Sequence, residues 1–215
     1  MIVESMYKVK EIFRSIQGEG FHTGKTAVFI RFSGCNLWNG ITKFREKAVC
    51  NFCDTDFVGV DGQNGGHYKL EQLIKKTIEI WGQDRLPHKR FVILTGGEPL
   101  LQVDGKLINE LKKKKFYIAL ETNGTIKTKL KFDWVAVSPK ENASWNLKRG
   151  DELKIVYPQT KINLKKASDL KFKYFFLQPM ANDFKQLNII KTINYCKSHK
   201  PWFPSFQIHK SLGIS

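Results

Sequence analysis

The chain has 215 residues, 41% of them hydrophobic and 26% charged, which suits one compact domain with a substantial core. It contains no run of 18 apolar residues, and its first residues lack a secretory signal, so we expect a cytoplasmic protein without a membrane span. The net charge of +16 is concentrated in residues 111–215 (21 basic, 7 acidic), but 20 of the 21 are Lys and no nucleic-acid motif occurs, so nucleic-acid binding is not favoured.

The first two predicted strands flank a glycine-rich loop. Residues 7–13 are a short strand candidate and residues 26–32 are a strongly apolar strand, and SIQGEGFHTGK between them lets the backbone approach a ligand closely at Gly18 and Gly20. Arg31 interrupts the second run. A charge in a buried strand is costly unless it is paired, so we expect Arg31 to face a carboxylate of the protein or of a ligand.

The remaining chain alternates apolar strands with amphipathic helices. Unbroken apolar strands are typical of a parallel sheet covered by helices, either doubly wound or a fragment of a barrel. A helix after Asn182 or Asp183 has an apolar stripe that includes Cys196, which indicates that Cys196 is a core residue. The predicted helices are 70–81, 100–115 and the helix after residue 183, whose stripe is Phe184, Leu187, Ile190, Ile193 and Cys196; the predicted strands are 90–94, 116–120, 134–137, 153–156 and 172–177.

Chemically distinctive residues follow the ends of these strands. In parallel α/β folds the carboxyl edge of the sheet carries the active site, so these segments predict one shared pocket. The segments are Cys35, TGGE (95–98), ETNG (121–124), SPK (138–140) and QPM (178–180).

Three of the four cysteines lie in the segment 35–56, with the spacing C-x14-C-x2-C. Three thiolates on one loop could hold a zinc ion or an iron–sulfur cluster. A structural zinc site needs a fourth ligand, and neither His22 nor His67 stands at a zinc-ribbon spacing. The loop alone leaves both readings open.

Cys50-x2-Cys53 with an aromatic residue before its last cysteine, TGGEP, and ETNG after the next strand together resemble the radical S-adenosylmethionine superfamily. Within it, IQGEG, FIRFSGCNL, CDTD and the C-terminal QIHKSLGI resemble the 7-carboxy-7-deazaguanine synthase family, some members of which have an enlarged first cysteine interval. The resemblance implies an α/β fold, an incomplete, modified (β/α) barrel with parallel strands. It also implies one domain over residues 1–215, with a cluster-binding loop at 34–56.

Members of that family convert 6-carboxy-5,6,7,8-tetrahydropterin to 7-carboxy-7-deazaguanine with release of ammonia, in the biosynthesis of 7-deazapurines such as queuosine. The resemblance therefore implies a [4Fe–4S] cluster, S-adenosyl-L-methionine and Mg²⁺ as cofactors. It further implies a homodimer and an external electron donor of the flavodoxin or ferredoxin type.

The resemblance also assigns residues to each role. The cluster ligands would be Cys35, Cys50 and Cys53, and the Mg²⁺ ligand Thr55, with Asp54 and Asp56 as alternative oxygen ligands. The S-adenosylmethionine contacts would be Phe52, Cys53, Asp54, Gly97, Glu98, Ser138, Pro139, Lys140, Gln178, Pro179, Met180 and Ala181. The substrate contacts would be Ile16, Gln17, Gly18, Glu19, Arg31, Thr95, His209 and the terminal carboxylate of Ser215.

Two other functions are compatible with parts of the sequence. A radical activase of a glycyl-radical enzyme would share the cysteines, TGGEP and TNG, but it would lack IQGEG and the QIHK tail. A zinc-stabilised nucleic-acid-binding module would account for the basic second half, and a brown colour with iron–sulfur absorbance, which zinc does not give, would exclude it.

Overall fold

The structure is a computed structural model that describes residues 6–83 and 90–214. In these ranges nine strands form one sheet in the order β3-β1-β2-β4-β5-β6-β7-β8-β9. The strands are β1 (Tyr7–Ile16), β2 (Thr26–Phe32), β3 (Gly66–Tyr68), β4 (Phe91–Gly96), β5 (Tyr117–Thr122), β6 (Trp134–Val137), β7 (Glu152–Tyr157), β8 (Tyr174–Pro179) and β9 (Trp202–Pro204). The helices are α1 (Leu70–Trp81), α2 (Gly105–Lys113), α3 (Leu164–Ser168), α4 (Lys185–Ser198) and α5 (Ile208–Leu212).

The sheet is parallel from β2 through β4 to β9, whereas β1 is antiparallel to β2 and β3 is antiparallel to β1. Its two end strands, β3 and β9, are not paired with each other in the described part of the chain, so the sheet stays open. The predicted parallel α/β architecture, an incomplete barrel, is therefore confirmed. Among the described helices, none has the length and apolar composition that a bilayer span requires.

Two apolar cores hold the sheet and helices together. The larger lies around β1, β2, β4 and β5 with helices α1 and α2, and the smaller lies around β7 and β8 with α3. Helix α1 has the predicted bounds and buries Leu73, Ile74, Thr77 and Trp81 against the larger core. Cys196 is partly buried and packs against the smaller core, as expected for an apolar contact.

The single helix predicted over 100–115 is wrong. The chain forms a short 3-10 helix, Pro99–Leu101, and then starts α2 at Gly105. Two side chains cause the break, because Glu98 accepts a hydrogen bond from Leu100 N and Asp104 accepts one from Leu107 N. Each carboxylate caps its own short helix, and the chain between them leaves the helical path.

The first three residues of the apolar stripe predicted for α4 are also placed differently from the expectation, whereas Ile193 and Cys196 are partly buried. Phe184, Leu187 and Ile190 are 66%, 47% and 50% exposed, whereas Asn188 and Thr192 are the buried residues of this helix. Asn188 faces inward because its side-chain amide Nδ2 donates hydrogen bonds to Met180 O and to Asn182 Oδ1. A polar anchor thus turns the apolar side chains outward.

The strand ends that carry the distinctive sequence segments come together at one edge. In the parallel registers Phe32 lies opposite Gly96, Thr122 opposite Val137, and Tyr157 opposite Pro179. Each pair stands where its two strands end, so the loops that follow leave the sheet from neighbouring points.

Candidate active site

A cavity of about 360 Å³ opens at this carboxyl edge. Most of the residues predicted from the sequence to bind cluster, cofactor, metal or substrate line it. They are Ile16, Gln17, Gly18, Glu19, Arg31, Cys35, Cys50, Phe52, Cys53, Asp54, Thr55, Thr95, Gly97, Ser138, Lys140, Gln178, Pro179, Ala181 and His209. Glu98, Pro139 and Met180 are not among its lining residues, and Ser215 lies outside the described residues.

The enlarged cysteine loop folds back on itself and returns Cys50 and Cys53 to Cys35. Cys50 N donates to Leu37 O at 3.3 Å, which closes the base of the insertion. Within the insertion, the 3-10 helix Thr42–Lys47 carries Arg45, whose guanidinium lies 4.0 Å from the Trp38 ring centre and donates to Cys53 O at 2.9 Å. The long spacing therefore still delivers three sulfurs to one cavity.

The three thiols differ in their environment. Cys50 is buried, and Cys35 and Cys53 are half-buried. A hydrogen bond from the Cys50 thiol lowers the pKa of Cys53 to about 6, and the same interaction, with burial, raises the pKa of Cys50. Leu37 N lies 3.5 Å from Cys35 Sγ, the kind of N–H···S contact that stabilises a thiolate ligand and tunes a cluster.

The donor set fits an iron–sulfur cluster. Cys35, Cys50 and Cys53 line one cavity, and Leu37 N lies within reach of the Cys35 sulfur. In such a cluster each thiolate binds a different iron. The three cysteines would hold the cluster from one wall of the cavity.

The TGGEP and ETNG segments are locked to the cysteine loop by close contacts. A Cβ added at Gly97 would lie 2.0 Å from Gly34 O, so only glycine lets these two loops touch. Asn123 Nδ2 donates to Asn36 Oδ1 at 2.9 Å and lies 4.0 Å from Cys35 Sγ. The first cysteine is thereby held by the loops that follow β4 and β5.

The side chain of Glu98 connects the TGGEP and ETNG segments through hydrogen bonds. It is fully buried and accepts hydrogen bonds from Thr122 Oγ1 (2.8 Å), Asn123 N (2.8 Å) and Leu100 N (3.0 Å). Burial raises the pKa of Glu98, and these donors oppose that rise. The contacts give Glu98 a role in fixing the loops, and the predicted cofactor contact stays a prediction.

The opposite wall of the cavity is built around Glu121, which the sequence reasoning left without a role. Its two carboxylate oxygens accept from Gln17 Nε2 at 2.8 Å and from Thr95 Oγ1 at 2.9 Å. It therefore orients two of the residues predicted to contact substrate. The available signal was its place as the first residue of ETNG, a carboxylate at a strand end.

Lys154 is a second cavity residue that the sequence reasoning missed. Its Nζ forms a buried ion pair with Glu19, whose carboxylate also accepts from Gln178 Nε2 and Gln207 Nε2. Burial would lower the pKa of Lys154, but nearby carboxylates, Glu19 first, raise it. The argument that singled out Arg31, a charge inside an apolar strand, applies equally to Lys154 in LKIV.

Arg31 has the carboxylate partner that was expected, and it belongs to the protein. Arg31 Nε donates to Glu11 Oε1 at 2.7 Å, with both side chains half-buried at the cavity wall. The second expected partner, a carboxylate of the substrate, stays a prediction.

The C-terminal segment crosses the cavity and joins its two walls. Gln207 Nε2 donates to Glu19 Oε1 (2.8 Å) and to Asp54 Oδ2 (3.0 Å), and Lys210 pairs with Asp54. Partial burial raises the pKa of Asp54, but the bonds from Lys210 and Gln207 outweigh it and hold that pKa below its ordinary value. A Cβ at Gly18 would lie 2.0 Å from His209 Nδ1, so this glycine makes room for the imidazole.

Thr55 lies between two carboxylates that already have cationic partners. Asp54 is paired with Lys210, and Asp56 is paired with Lys10 at 2.8 Å. All three residues line the cavity. The hydroxyl of Thr55 is neutral and, unlike the two carboxylates, is not held in an ion pair. Across the cavity, the buried Oε1 of Gln178 accepts no hydrogen bond from the described residues and offers an acceptor to a ligand.

An open, mostly parallel sheet whose carboxyl edge carries three cysteines, a Gly-Gly loop and a cavity fits a radical S-adenosylmethionine enzyme. The model of the Radical SAM superfamily matches residues 44–173 of the chain.

Comparison with curated proteins narrows the class. The chain is 47% identical over 209 residues to the 7-carboxy-7-deazaguanine synthase of Burkholderia multivorans and 48% identical over the same length to that of Caulobacter vibrioides, covering 97% of this chain and 99% of either relative. The crystal structure of QueE from Escherichia coli is 26% identical, with a TM-score of 0.70 and 94% of each chain covered. The chain belongs to the 7-carboxy-7-deazaguanine synthase family.

Replacing Cys50 by Ala removes one sulfur from the cavity and leaves the parallel sheet untouched. We expect Cys50→Ala to lose bound iron and sulfide, while the free energy of unfolding of the apoprotein changes by about 1 kcal/mol or less. Iron and sulfide analysis, absorbance and denaturant unfolding measure the two effects. Cys196→Ala is the matched control and keeps its cluster; equal cluster loss in both variants would contradict the assignment.

Proposed function

We propose that the chain converts 6-carboxy-5,6,7,8-tetrahydropterin to 7-carboxy-7-deazaguanine with loss of ammonia, in the biosynthesis of 7-deazapurines such as queuosine. The observation that carries the proposal is the two-walled cavity: three cysteines form one wall, and hydrogen-bonding side chains around Glu121 form the other. Family membership at 47–49% identity over nearly the full chain supports the same reaction. Residues 1–215 would act as one domain, with the cluster-binding loop at 34–56.

When bound, the cluster and S-adenosylmethionine supply radical chemistry through one-electron reduction of the sulfonium. Cys35, Cys50 and Cys53 would hold the cluster. Gly97 would present backbone to the methionine end of the cofactor, in keeping with its place in the cavity wall. The SPK and QPMA segments would contact the adenosyl part, in keeping with Ser138, Lys140, Gln178 and Ala181 in the cavity wall.

Side chains on the opposite wall would bind and orient the pterin. Thr95, Gln17 and Glu121 form one hydrogen-bonded set of donors and acceptors, which suits the amide and amine edge of a pterin. Arg31 would add a charge-assisted bond to the substrate carboxylate. His209 would contact the substrate from the C-terminal segment, which crosses the cavity at Gln207 and Lys210.

The function is tested with anaerobically reconstituted protein, a reductant, S-adenosylmethionine, Mg²⁺ and the carboxytetrahydropterin. We expect 7-carboxy-7-deazaguanine and ammonia to form in equal amounts, measured by liquid chromatography with mass spectrometry and an ammonia assay. Cys50→Ala is the inactive control. An enzyme with a full cluster that forms no product would overturn the proposal.

We infer that Thr55 is a ligand of Mg²⁺, which prefers oxygen donors and is held by few protein atoms. Thr55→Ala should raise the Mg²⁺ concentration needed for the half-maximal rate about 10- to 100-fold while the cluster is retained. Asp61→Ala is the matched control, because Asp61 shares Lys10 with Asp56 but is 79% exposed in its side chain. A Thr55→Ala enzyme with unchanged Mg²⁺ dependence would count against the ligand role.

We also propose a cytoplasmic enzyme that takes its electrons from an acidic flavodoxin- or ferredoxin-like protein. Lys43 and Lys47 lie on the exposed 3-10 helix of the cysteine loop, which supports docking of an acidic carrier near the cluster. The free thiols of the cavity support a reducing compartment.

A homodimer is proposed on the exposed stripe of α4. Phe184, Leu187 and Ile190 are exposed apolar side chains at and after the start of α4, and a second copy of the chain could cover them through a two-fold axis. Leu187→Glu should weaken the dimer at least about tenfold in analytical ultracentrifugation. Leu101→Glu alters a leucine of similar exposure elsewhere and should leave the dimer intact; a Leu187→Glu protein that stays dimeric would refute this surface.

A further inference from the structure

A small enclosed chamber lies beneath the substrate wall of the cavity. Its volume is about 10 Å³, and a site of roughly 10–15 Å³ by this measure holds one water molecule. Gln17, Glu19 and Glu121 line both the chamber and the main cavity, whereas His22 and Glu152 line the chamber. The chamber is therefore polar and shares a wall with the pocket.

His22 is buried beside this chamber with one nitrogen unpaired. The ring is 6% exposed and packs against Trp134, Phe91 and Tyr117 at centroid distances of 4.5, 5.1 and 5.8 Å. Within the part of the chain that the structure describes, its Nε2 has no hydrogen-bond partner. A buried, unpaired polar atom is costly, so this nitrogen calls for a partner in the chamber.

The other nitrogen of the ring determines which partner is needed. Lys25 Nζ lies 3.0 Å from His22 Nδ1, and an ammonium group can only donate, so Nδ1 accepts. Burial and the charge of Lys25 lower the pKa of His22 to about 4, which keeps the ring neutral at pH 7. The single ring proton therefore sits on Nε2, and the missing partner must be an acceptor.

Glu121 and Glu152 can take the hydrogen bonds that a water would offer in return. Each Glu121 oxygen accepts one bond, from Gln17 or Thr95, and each has a second lone pair. Glu152 accepts from Phe21 N and Trp134 Nε1 through the same oxygen, Oε2. An ammonium ion of similar size has no lone pair for the His22 N–H, whereas water both accepts and donates.

We propose that the chamber holds one ordered water, which accepts from His22 Nε2–H and donates to Glu121 and Glu152. His22 then acts as a positioning residue: through this water it fixes the Glu121 carboxylate, and Glu121 in turn orients Gln17 and Thr95 at the substrate wall. The functional part of this inference rests on the proposed function, and the water and the ring proton do not.

The water and the proton are tested directly on the wild-type protein. A high-resolution crystal structure should show one ordered water within hydrogen-bond distance of His22 Nε2. Long-range ¹H–¹⁵N spectra of histidine-labelled protein should show the Nε2–H tautomer for this residue. An empty chamber or an Nδ1–H tautomer would overturn the proposal.

Two variants separate the hydrogen bond from the packing of the ring. His22→Phe keeps an aromatic ring and removes the donor, whereas His22→Gln loses the ring and keeps an N–H that can reach the chamber. We expect His22→Phe to raise the KM for the pterin about tenfold or more, with a smaller effect on kcat, because it removes a bond to a buried carboxylate network. His22→Gln should stay close to wild type.

The opposite pattern, a normal KM in His22→Phe and a raised KM in His22→Gln, would assign His22 to packing and refute the positioning role. Thermal unfolding of both variants confirms that folded proteins are compared. If the wild type turns over no carboxypterin, the proposed function fails, and the crystal structure and spectra still decide the water.

Discussion

The cavity wall that carries the three cysteines depends on the hydrogen bonds to the buried carboxylate of Glu98. It accepts hydrogen bonds from Leu100 N after β4, from Thr122 Oγ1 at the end of β5 and from Asn123 N just beyond it, and so fixes the point at which Asn123 leaves the sheet. Asn123 then reaches Asn36 and Cys35. A buried carboxylate with fewer donors is costly, so the loss of one of these hydrogen bonds would destabilise the arrangement of both loops.

A second set of charges, more deeply buried at Lys154 and Glu19 than at Arg31 and Glu11, organises the opposite wall of the cavity. Lys154 neutralises Glu19, and Arg31 is paired with Glu11, so both cations are satisfied before any ligand enters. Such pairs add little net stability, since desolvation offsets their attraction. Their contribution is geometric: they hold carboxylates and amides at defined points around a cavity that would otherwise collapse or fill with apolar side chains.

The sequence predicted those parts of the fold that depend on local pattern. The strands 26–32 and 134–137 and the helix 70–81 have the predicted bounds, because unbroken apolar runs and a 3.6-residue stripe are local properties. The single helix predicted over 100–115 is wrong because Glu98 and Asp104 cap separate helices. The first part of the α4 stripe faces outward because Asn188 anchors the inner face. Glu121 and Lys154 were missed for a related reason, since their partners are distant in sequence and only the folded chain brings them together.

Hydrogen bonds at the base of the cysteine loop separate the residues that hold the sulfurs from the rest of the insertion. Cys50 N bonds to Leu37 O, and Arg45 ties the insertion to Cys53 O, so the sulfurs are fixed at the neck of the loop. Beyond that neck, each added residue costs little closure entropy. The residues of the insertion other than Trp38 and Arg45 can therefore change in number or charge and adapt the outer face to different neighbours, while Cys35, Cys50 and Cys53 keep their places in the cavity wall.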